Sequence, residues 1–231
     1  MLGAFDFDVI FRSWQYLFLV GMSFTIELTL EAMAGGIVIG TMLAMMRLSS
    51  NKLVAMLAGG YVNFIRSIPL VLVIFWFYFL TPLIGAWIIG AKQPIQVGAF
   101  LSSLITFILF EAAYFCEIMR AGILSIPIGQ TSASQALGMN YWKTMRYVIL
   151  PQAFRNMLPM ILTQIIILFQ DASLVYVVSI TDFVGAASKV AQRDNRLVEM
   201  YVFVAVIYFL MCFGLSLLVN KIKQRIVIHQ S

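Results

Sequence analysis

The sequence has few of the side chains that most enzymes use for chemistry. Its 231 residues include one histidine and two cysteines, and 11% are charged. The histidine, His229, stands close to the carboxyl end, so neither a histidine-based metal cluster nor a Ser/His/Asp relay can be assembled. Cys116 and Cys212 each lie in an apolar run, where a thiol behaves as a small hydrophobic side chain and a disulfide is not expected. The sequence therefore predicts no catalytic residues, no metal site and no cofactor.

Apolar residues are what the sequence has instead. They make up 62% of the chain, against about half of a soluble domain. A helix needs about 20 mostly apolar residues to cross a bilayer. Five stretches reach that length, at residues 17–46, 53–80, 97–119, 151–180 and 198–219. We therefore predict an all-α polytopic membrane protein of about five transmembrane helices, with a single transmembrane domain over residues 1–231.

Proline and glycine mark special positions in these predicted spans. Pro69 follows Ser67 in the second span, and a proline there predicts a kink or break because it removes a backbone donor. Residues 81–94 are predicted to form a loop. Gly36 and Gly40 form a GxxxG pair in the first span, which permits close approach of helices. The pair predicts packing either within the chain or against another copy.

Basic residues predict the orientation of the chain. A net charge of +5 would suggest a nucleic-acid partner in a soluble protein, but cytoplasmic loops of membrane proteins accumulate Lys and Arg. With the amino terminus outside, ten of the fifteen basic residues lie on the inner side: Arg47, Lys52, Arg66, Arg120, Lys143, Arg146, Arg155, Lys221, Lys223 and Arg225. We therefore predict an outer amino terminus, a cytoplasmic carboxyl terminus, the lipid bilayer as surroundings, and no nucleic-acid partner.

The longest polar connection runs from residue 120 to residue 150. Residues 130–138 read as a short helix that is opened by Ser/Thr-type residues and closed by Gly138 in the left-handed cap conformation. Asn140 is the predicted N-cap of a second helix, which extends to Ile149 and is stopped by Pro151. The pattern predicts a helical corner on the cytoplasmic face.

One face of the first short helix carries Ala133, Ala136 and Leu137. Such a face can enter a groove of another protein, as amphipathic helices often do. It can also rest on the lipid surface as an amphipathic loop. Spacing alone leaves both interpretations open.

A family resemblance bears on this corner. Residues 129–138, followed by Ile149-Leu150-Pro151, resemble the coupling loop of ATP-binding-cassette importer permeases, whose pattern is Glu-Ala-Ala, three residues, Gly, then Ile-x-Leu-Pro. Ser132-Ala133-Ser134 stands at the Glu-Ala-Ala position, so only the central alanine is kept. The resemblance implies that these residues couple the chain to an ATPase: Gln130, Ser132, Ala133, Ser134, Ala136, Leu137, Gly138 and Pro151.

Other segments resemble the polar-amino-acid permeases of the same family. Residues 64–70 are similar to their Phe-Arg-Gly-Thr-Pro-Leu stretch, and residues 169–175 to their Lys-Asp-Thr-Ser-Leu-Val. Residues 110–114, with Glu117 and Arg120, are similar to the subset that imports glutamate and aspartate. The resemblance covers nearly the whole chain.

The resemblance implies a type I importer permease fold with a cytoplasmic coupling helix, in a bacterial inner membrane. It implies a second, similar permease subunit, two cytoplasmic ATPase subunits and a periplasmic substrate-binding protein, with the amino terminus of this chain periplasmic. The chain has no GxxxxGK[ST] phosphate loop, so ATP hydrolysis is expected in another subunit. The expected function is import of glutamate and aspartate by alternating access.

Two alternatives to that function stay open. The same machinery would import another polar amino acid, such as glutamine, histidine or arginine. A secondary transporter would work without ATP, but such folds often contain inverted repeats, and no internal repeat is visible in this sequence.

Ionisable side chains inside predicted spans are candidates for the substrate path, because they are costly in lipid and usually face water or a partner. They are Arg66, Glu111, Glu117, Arg120 and Asp171. Arg66 either anchors its helix at the cytoplasmic surface or binds a carboxylate beside the break at Pro69. Glu117 and Arg120 are expected to pair with each other. Asp171 either accepts hydrogen bonds from a partner helix or contacts the amino group of the substrate.

Glu27 and Glu31 lie one turn apart in the first predicted span. Four-residue spacing places both on one face of a helix, where like charges repel. They are expected either to face water or a cationic partner, or to be solvated at the outer end of the span.

Overall fold

The computed structural model describes residues 5–228, which contain helices and no strand; His229 lies outside them. The α-helices are α1 Asp8–Gln15, α2 Ser23–Arg47, α3 Lys52–Arg66, α4 Leu70–Ile89, α5 Ala99–Leu124, α6 Ile128–Ala136, α7 Tyr141–Thr144, α8 Leu150–Asp171, α9 Phe183–Asp194 and α10 Leu197–Ile228. Two π-helical turns, Tyr16–Met22 and Met145–Ile149, join α1 to α2 and α7 to α8, and the 3₁₀ turn Ala172–Val178 extends α8.

Five helical segments are long and apolar enough to cross a membrane. They are Asp8–Arg47, Leu70–Ile89, Ala99–Leu124, Tyr141–Val178 and Leu197–Gln224. This number agrees with the predicted all-α fold of about five transmembrane helices. The first and fourth segments are longer than a bilayer requires, because the π-helical turns continue the helix instead of ending it.

The predicted second span is divided in the structure. α3 ends at Arg66 and α4 begins at Leu70, with Pro69 in an extended conformation between them. The predicted break near Ser67 is therefore confirmed, and of the two pieces only α4 qualifies as a membrane-spanning helix.

The predicted loop at residues 81–94 is wrong over its first part. α4 contains Pro82 and continues to Ile89, and Gly90 then closes it with a left-handed φ of 69°. One proline removes one backbone hydrogen bond, which membrane helices tolerate. The apolar run from Leu83 to Ile89 favours continuation of the helix, so the glycine and not the proline ends it.

Two further predicted helix ends are wrong. α5 continues past Met119 to Leu124, so Arg120 lies inside the helix. Pro151 does not stop the helix that begins at Asn140, because Tyr141–Val178 is continuous. Proline is tolerated where no backbone donor is needed, and the π-helical turn just before it changes the backbone hydrogen-bond spacing.

The chain forms two compact units. Among the described residues, the first comprises 5–34, 68–108 and 166–215. The core of this unit is apolar and consists of Val9, Ile10, Leu17, Met22, Phe169, Phe183, Ala186, Ala187, Val190, Ala191, Met200, Val204 and Cys212. α9 packs closely on the turn before α2, since a Cβ built on Gly21 would lie 2.8 Å from Cβ of Ala186.

A buried aspartate fixes the start of α9 in this unit. The carboxylate of Asp182 accepts hydrogen bonds from the backbone N–H groups of Val184 and Gly185, at 3.0 and 2.9 Å. The N–H of Phe183 donates to the hydroxyl of Thr25. Burial raises the pKa of Asp182 to about 6, while the two backbone donors act in the opposite direction. The N-cap of α9 is therefore a carboxyl group that is fully buried in the protein.

The second unit comprises, of the described residues, 35–67, 109–165 and 216–228. Gly36 and Gly40 of α2 face α5 of the same chain. A Cβ on Gly40 would lie 2.7 Å from Cβ of Phe115 and 2.9 Å from the carbonyl oxygen of Ala112. The hydroxyl of Tyr61 donates to the carbonyl of Leu109 at 2.7 Å. The GxxxG pair thus packs within the chain.

Candidate functional site

The polar connection of the second unit folds into the predicted helical corner. Gly138 follows α6 with a φ of 78°. Its N–H donates to the carbonyl of Gln135, and the N–H of Met139 donates to that of Ser134, which is the hydrogen-bond pattern of a glycine cap. The side chain of Asn140 accepts from the N–H of Lys143 at 2.9 Å, as an N-cap does. Both predicted caps are confirmed.

The start of α6 differs from the prediction. The helix begins at Ile128, directly after Pro127, and no side chain caps it. Pro127 is the N-cap residue and has a non-helical ψ of 138°, so the helix starts directly after it without a Ser or Thr cap. The Ser/Thr-type residues at 131–132 lie inside the helix.

An exposed apolar surface covers this corner. Ala133, Ala136 and Leu137 are all exposed, as are Gln130, Ser132 and Gly138. Leu137 is 80% exposed and Trp142, at the start of α7, is 76% exposed. Ile128 and Tyr141 add to the same set of exposed large side chains. We call Ile128, Ala133, Ala136, Leu137, Tyr141 and Trp142 the corner surface. Exposed apolar side chains grouped in one short segment favour an interaction site.

Behind the corner surface, two hydroxyl groups join the short helices. Ser134 and Thr144 are each only 3% exposed. Their Oγ and Oγ1 atoms lie 2.9 Å apart in a hydrogen bond, and the Ser134 hydroxyl also contacts the carbonyl of Thr131 at 2.7 Å. The pair connects α6 to the base of the segment Tyr141–Val178.

A charge cluster lies elsewhere in the second unit, around one carboxylate. Glu117 forms ion pairs with Arg47 and with Arg120, whose Nη2 lies 2.8 Å from Oε2 of Glu117. Nη1 of Arg66 lies 4.0 Å from Oε1 of the same carboxylate, and its guanidinium also lies over the ring of Tyr114, 5.4 Å from the centroid. The structure thus confirms the Glu117–Arg120 pair and brings Arg66 to it.

The cluster has more positive than negative charge. Three guanidinium groups surround one carboxylate, and all four side chains are between 18% and 42% exposed. Arg47 and Arg66 are the last residues of α2 and α3, where a helix dipole favours a cation. The cluster therefore connects three helices and leaves a surplus of positive charge that an anion can approach.

The remaining sequence-predicted path residues lie in different surroundings. Glu111 is fully buried, and its Oε2 accepts a hydrogen bond from Nε2 of Gln164 at 3.0 Å. Asp171 belongs to the first unit, where it is half-buried and is the last residue of α8. Glu27 and Glu31, of α2, are both exposed.

Sequence reasoning missed two residues of these sites. The sequence placed Arg47 only among the basic residues of the inner side, and its pairing with Glu117 spans seventy positions that no periodicity connects. Thr144 was not singled out either. Its burial and its hydrogen bond to Ser134 depend on the fold of the corner, and no local signal in the sequence indicates them.

The chain matches a known family over most of its length. Residues 36–228 match the family described as "Binding-protein-dependent transport system inner membrane component". The chain belongs to this family. It is a multi-pass permease subunit of an ATP-binding-cassette transport system of the inner membrane. Membership implies that it works with an ATPase and a substrate-binding protein.

Relatives of the permease are similar over nearly their full length. The glutamate/aspartate import permease protein GltK of Escherichia coli O6:H1 is 48% identical over 221 residues, covering 96% of this chain and 98% of the relative. The glutamine transport system permease protein GlnP of Escherichia coli K12 is 30% identical over 224 residues, covering 97% and 99%.

Solved structures show the same fold. The chain is similar to a crystal structure of an amino acid ABC transporter with histidines, with a TM-score of 0.83 and 31% identity over 95% of this chain and 98% of that one. An inward-facing MetNI methionine ABC transporter gives a TM-score of 0.72 at 18% identity, over 92% and 97%. These similarities agree with the predicted type I importer permease fold.

Proposed function

We propose that this permease imports glutamate and aspartate. The observation that carries the proposal is the 48% identity to a glutamate/aspartate import permease over nearly the whole of both chains. An acidic amino acid carries net negative charge and needs a compensating charge when it leaves water. The surplus of positive charge around Glu117 suits such a substrate.

The candidate path residues take distinct roles in this proposal. Arg66 and Arg120 offer guanidinium groups to a carboxylate, with Arg47 as a third, and Glu117 holds them in place between substrates. Asp171 belongs to the first unit and is a separate candidate on the path, for contact with an amino group or with a partner helix. Glu111 is enclosed beside Gln164, which favours a structural role for its carboxyl group over direct contact with the substrate.

ATP hydrolysis takes place in separate subunits. We place two cytoplasmic ATPases, a second and similar permease, and a periplasmic binding protein around this chain. The corner surface is the docking site for an ATPase, because its large apolar side chains are exposed in a segment otherwise rich in polar residues. We place the amino terminus in the periplasm and the carboxyl terminus in the cytoplasm, an orientation that the excess of Lys and Arg on the inner side supports.

A second candidate substrate is another polar amino acid. The similarity to a glutamine permease and to an amino acid transporter solved with histidines favours this alternative. In that case specificity resides in the binding protein, and the charge cluster serves to hold three helices together.

Docking at the corner surface is tested by Leu137→Glu. The charged side chain prevents burial of an 80% exposed apolar residue in a partner groove, so we expect the ATPase to be lost from the purified complex and ATP-dependent uptake to fall at least tenfold. The matched control is Leu48→Glu, which changes an exposed leucine in the turn between α2 and α3. This variant is expected to keep the bound ATPase and the ATP-dependent uptake. Retention of the ATPase by the Leu137 variant would exclude docking here.

A further inference from the structure

We propose that the hydroxyl pair of Ser134 and Thr144 transmits motion from the docking helix α6 to the long helical segment Tyr141–Val178. This inference rests on the proposed docking of an ATPase at the corner surface. Ser134 and Thr144 do not contact the ATPase in this account, because both are buried. They are positioning residues that fix α6 relative to the start of a membrane-spanning segment.

The two hydroxyl groups belong to the two short helices that the proposal connects, α6 and α7. Ser134 lies in the second half of α6 and is buried, whereas Ala133 beside it and Leu137 at the end of the helix are exposed. Thr144 is the last residue of α7 and directly precedes the π-helical turn Met145–Ile149. A hydrogen bond of 2.9 Å joins the two hydroxyl groups, so this bond is a direct link through which a displacement of α6 can act on α7.

The surroundings of the pair include an open groove. The groove has a volume of about 160 Å³ and lies between α6, α7 and the end of α5, and its lining includes Ile128, Thr131, Gln135, Tyr141 and Thr144. Ile128 and Tyr141 are largely exposed, so α6 and α7 are not packed against each other along this side. The buried hydrogen bond and the backbone caps therefore contribute directly to the angle between α6 and α7.

The π-helical turn beside Thr144 makes the base of the long segment adaptable. Single π-helical turns within α-helices are frequent at functional sites, and a helix can shift its hydrogen-bond spacing there. A displacement of Thr144 thus acts on the π-helical turn Met145–Ile149, which interrupts the regular α-helical pattern between α7 and α8. The hydroxyl pair and the π-helical turn together connect the docking helix α6 to the membrane-spanning segment Tyr141–Val178.

The experiment compares two conservative substitutions at Thr144. It uses the complete complex, reconstituted in proteoliposomes with its ATPase, second permease and binding protein. Thr144→Val keeps the shape and removes the hydroxyl, whereas Thr144→Ser keeps the hydroxyl. For Thr144→Val we expect normal co-purification of the ATPase and continued ATP hydrolysis, with the amount of amino acid taken up per ATP reduced about fivefold, the factor that loss of one ordinary hydrogen bond produces. Thr144→Ser is expected to restore the ratio.

A matched control is Thr163→Val. Thr163 lies on α8, and its hydroxyl donates to the carbonyl of Pro159 within the same helix, so its removal should leave the uptake per ATP unchanged. Ser134→Ala provides a second approach to the same bond and should reproduce the effect of Thr144→Val. Size-exclusion chromatography of each variant checks that the complex is intact.

Three results would overturn the inference. A normal uptake per ATP in Thr144→Val shows that the bond transmits nothing. An equal loss in Thr144→Val and Thr144→Ser shows that shape, and not the hydroxyl, matters. Loss of the ATPase from Thr144→Val shows that the pair shapes the docking surface itself. Failure of docking is recognised separately, because Leu137→Glu would then retain its ATPase.

Discussion

Replacing Glu117 with glutamine is expected to lower the free energy of unfolding of the permease by roughly 2 kcal/mol. Removing one partner from a fully buried ion pair costs about 3–5 kcal/mol, since the other charge remains uncompensated. The cluster is partly exposed, with Arg66 the most accessible at 42%, so solvent screens part of that cost. Glutamine keeps the size of the side chain and removes the only carboxylate that the three guanidinium groups contact in the cluster.

The measurement for Glu117→Gln is the apparent melting temperature of the purified protein in detergent, which we expect to fall by about 5 °C. The matched control is Glu31→Gln, which changes an exposed glutamate of α2 and is expected to leave the melting temperature unchanged. Adding Arg47→Gln to Glu117→Gln removes one of the repelling cations and should recover part of the loss. A Glu117 variant as stable as the wild type would show that the cluster does not hold the helices together.

Placing any side chain at Gly40 is expected to separate α2 from α5. A Cβ there would lie 2.7 Å from Cβ of Phe115, 2.9 Å from the carbonyl oxygen of Ala112 and 3.0 Å from the backbone nitrogen of Cys116. Two of these three atoms are backbone, so rotation of a side chain cannot relieve the contact. Overpacking of this kind costs about 1–3 kcal/mol for Gly40→Ala, and we expect Gly40→Leu to prevent accumulation of folded protein in the membrane.

Gly60→Ala is the matched control for Gly40. Gly60 lies within α3, and a Cβ at that position would meet no atom within 4 Å. Alanine favours a helix over glycine by about 1 kcal/mol, so Gly60→Ala should be as stable as the wild type or more so. The comparison uses the melting temperature and the amount of monodisperse protein in the membrane fraction. Equal behaviour of Gly40→Ala and Gly60→Ala would contradict the close packing of α2 on α5.

Local signals in the sequence were sufficient for the elements that depend on neighbouring residues. Gly138 and Asn140 cap their helices as predicted, because caps depend on the conformational freedom or side chain of one residue. The break before Pro69 follows from the same kind of rule. The Glu117–Arg120 pair was predictable because its members lie one helical turn apart.

Features that depend on distant residues could not be predicted in the same way. The continuation of α4 through Pro82 is different in kind, because the apolar run that outweighs one lost hydrogen bond follows the proline directly, and a rule based on proline alone does not weigh the two effects. The contact of Arg47 with Glu117 joins two helices that no sequence period relates. The hydroxyl bond between Ser134 and Thr144 depends on the angle of the corner, which the caps make possible but do not specify.

The central claim is that the permease imports acidic amino acids with energy from ATP. Its most direct test is accumulation of labelled glutamate by the reconstituted complex, with and without ATP and the binding protein, against an excess of unlabelled aspartate, glutamine, histidine or arginine. The account predicts accumulation only when ATP and the binding protein are both present, and competition by aspartate alone. Accumulation without ATP, or competition by glutamine, histidine or arginine but not by aspartate, would contradict it.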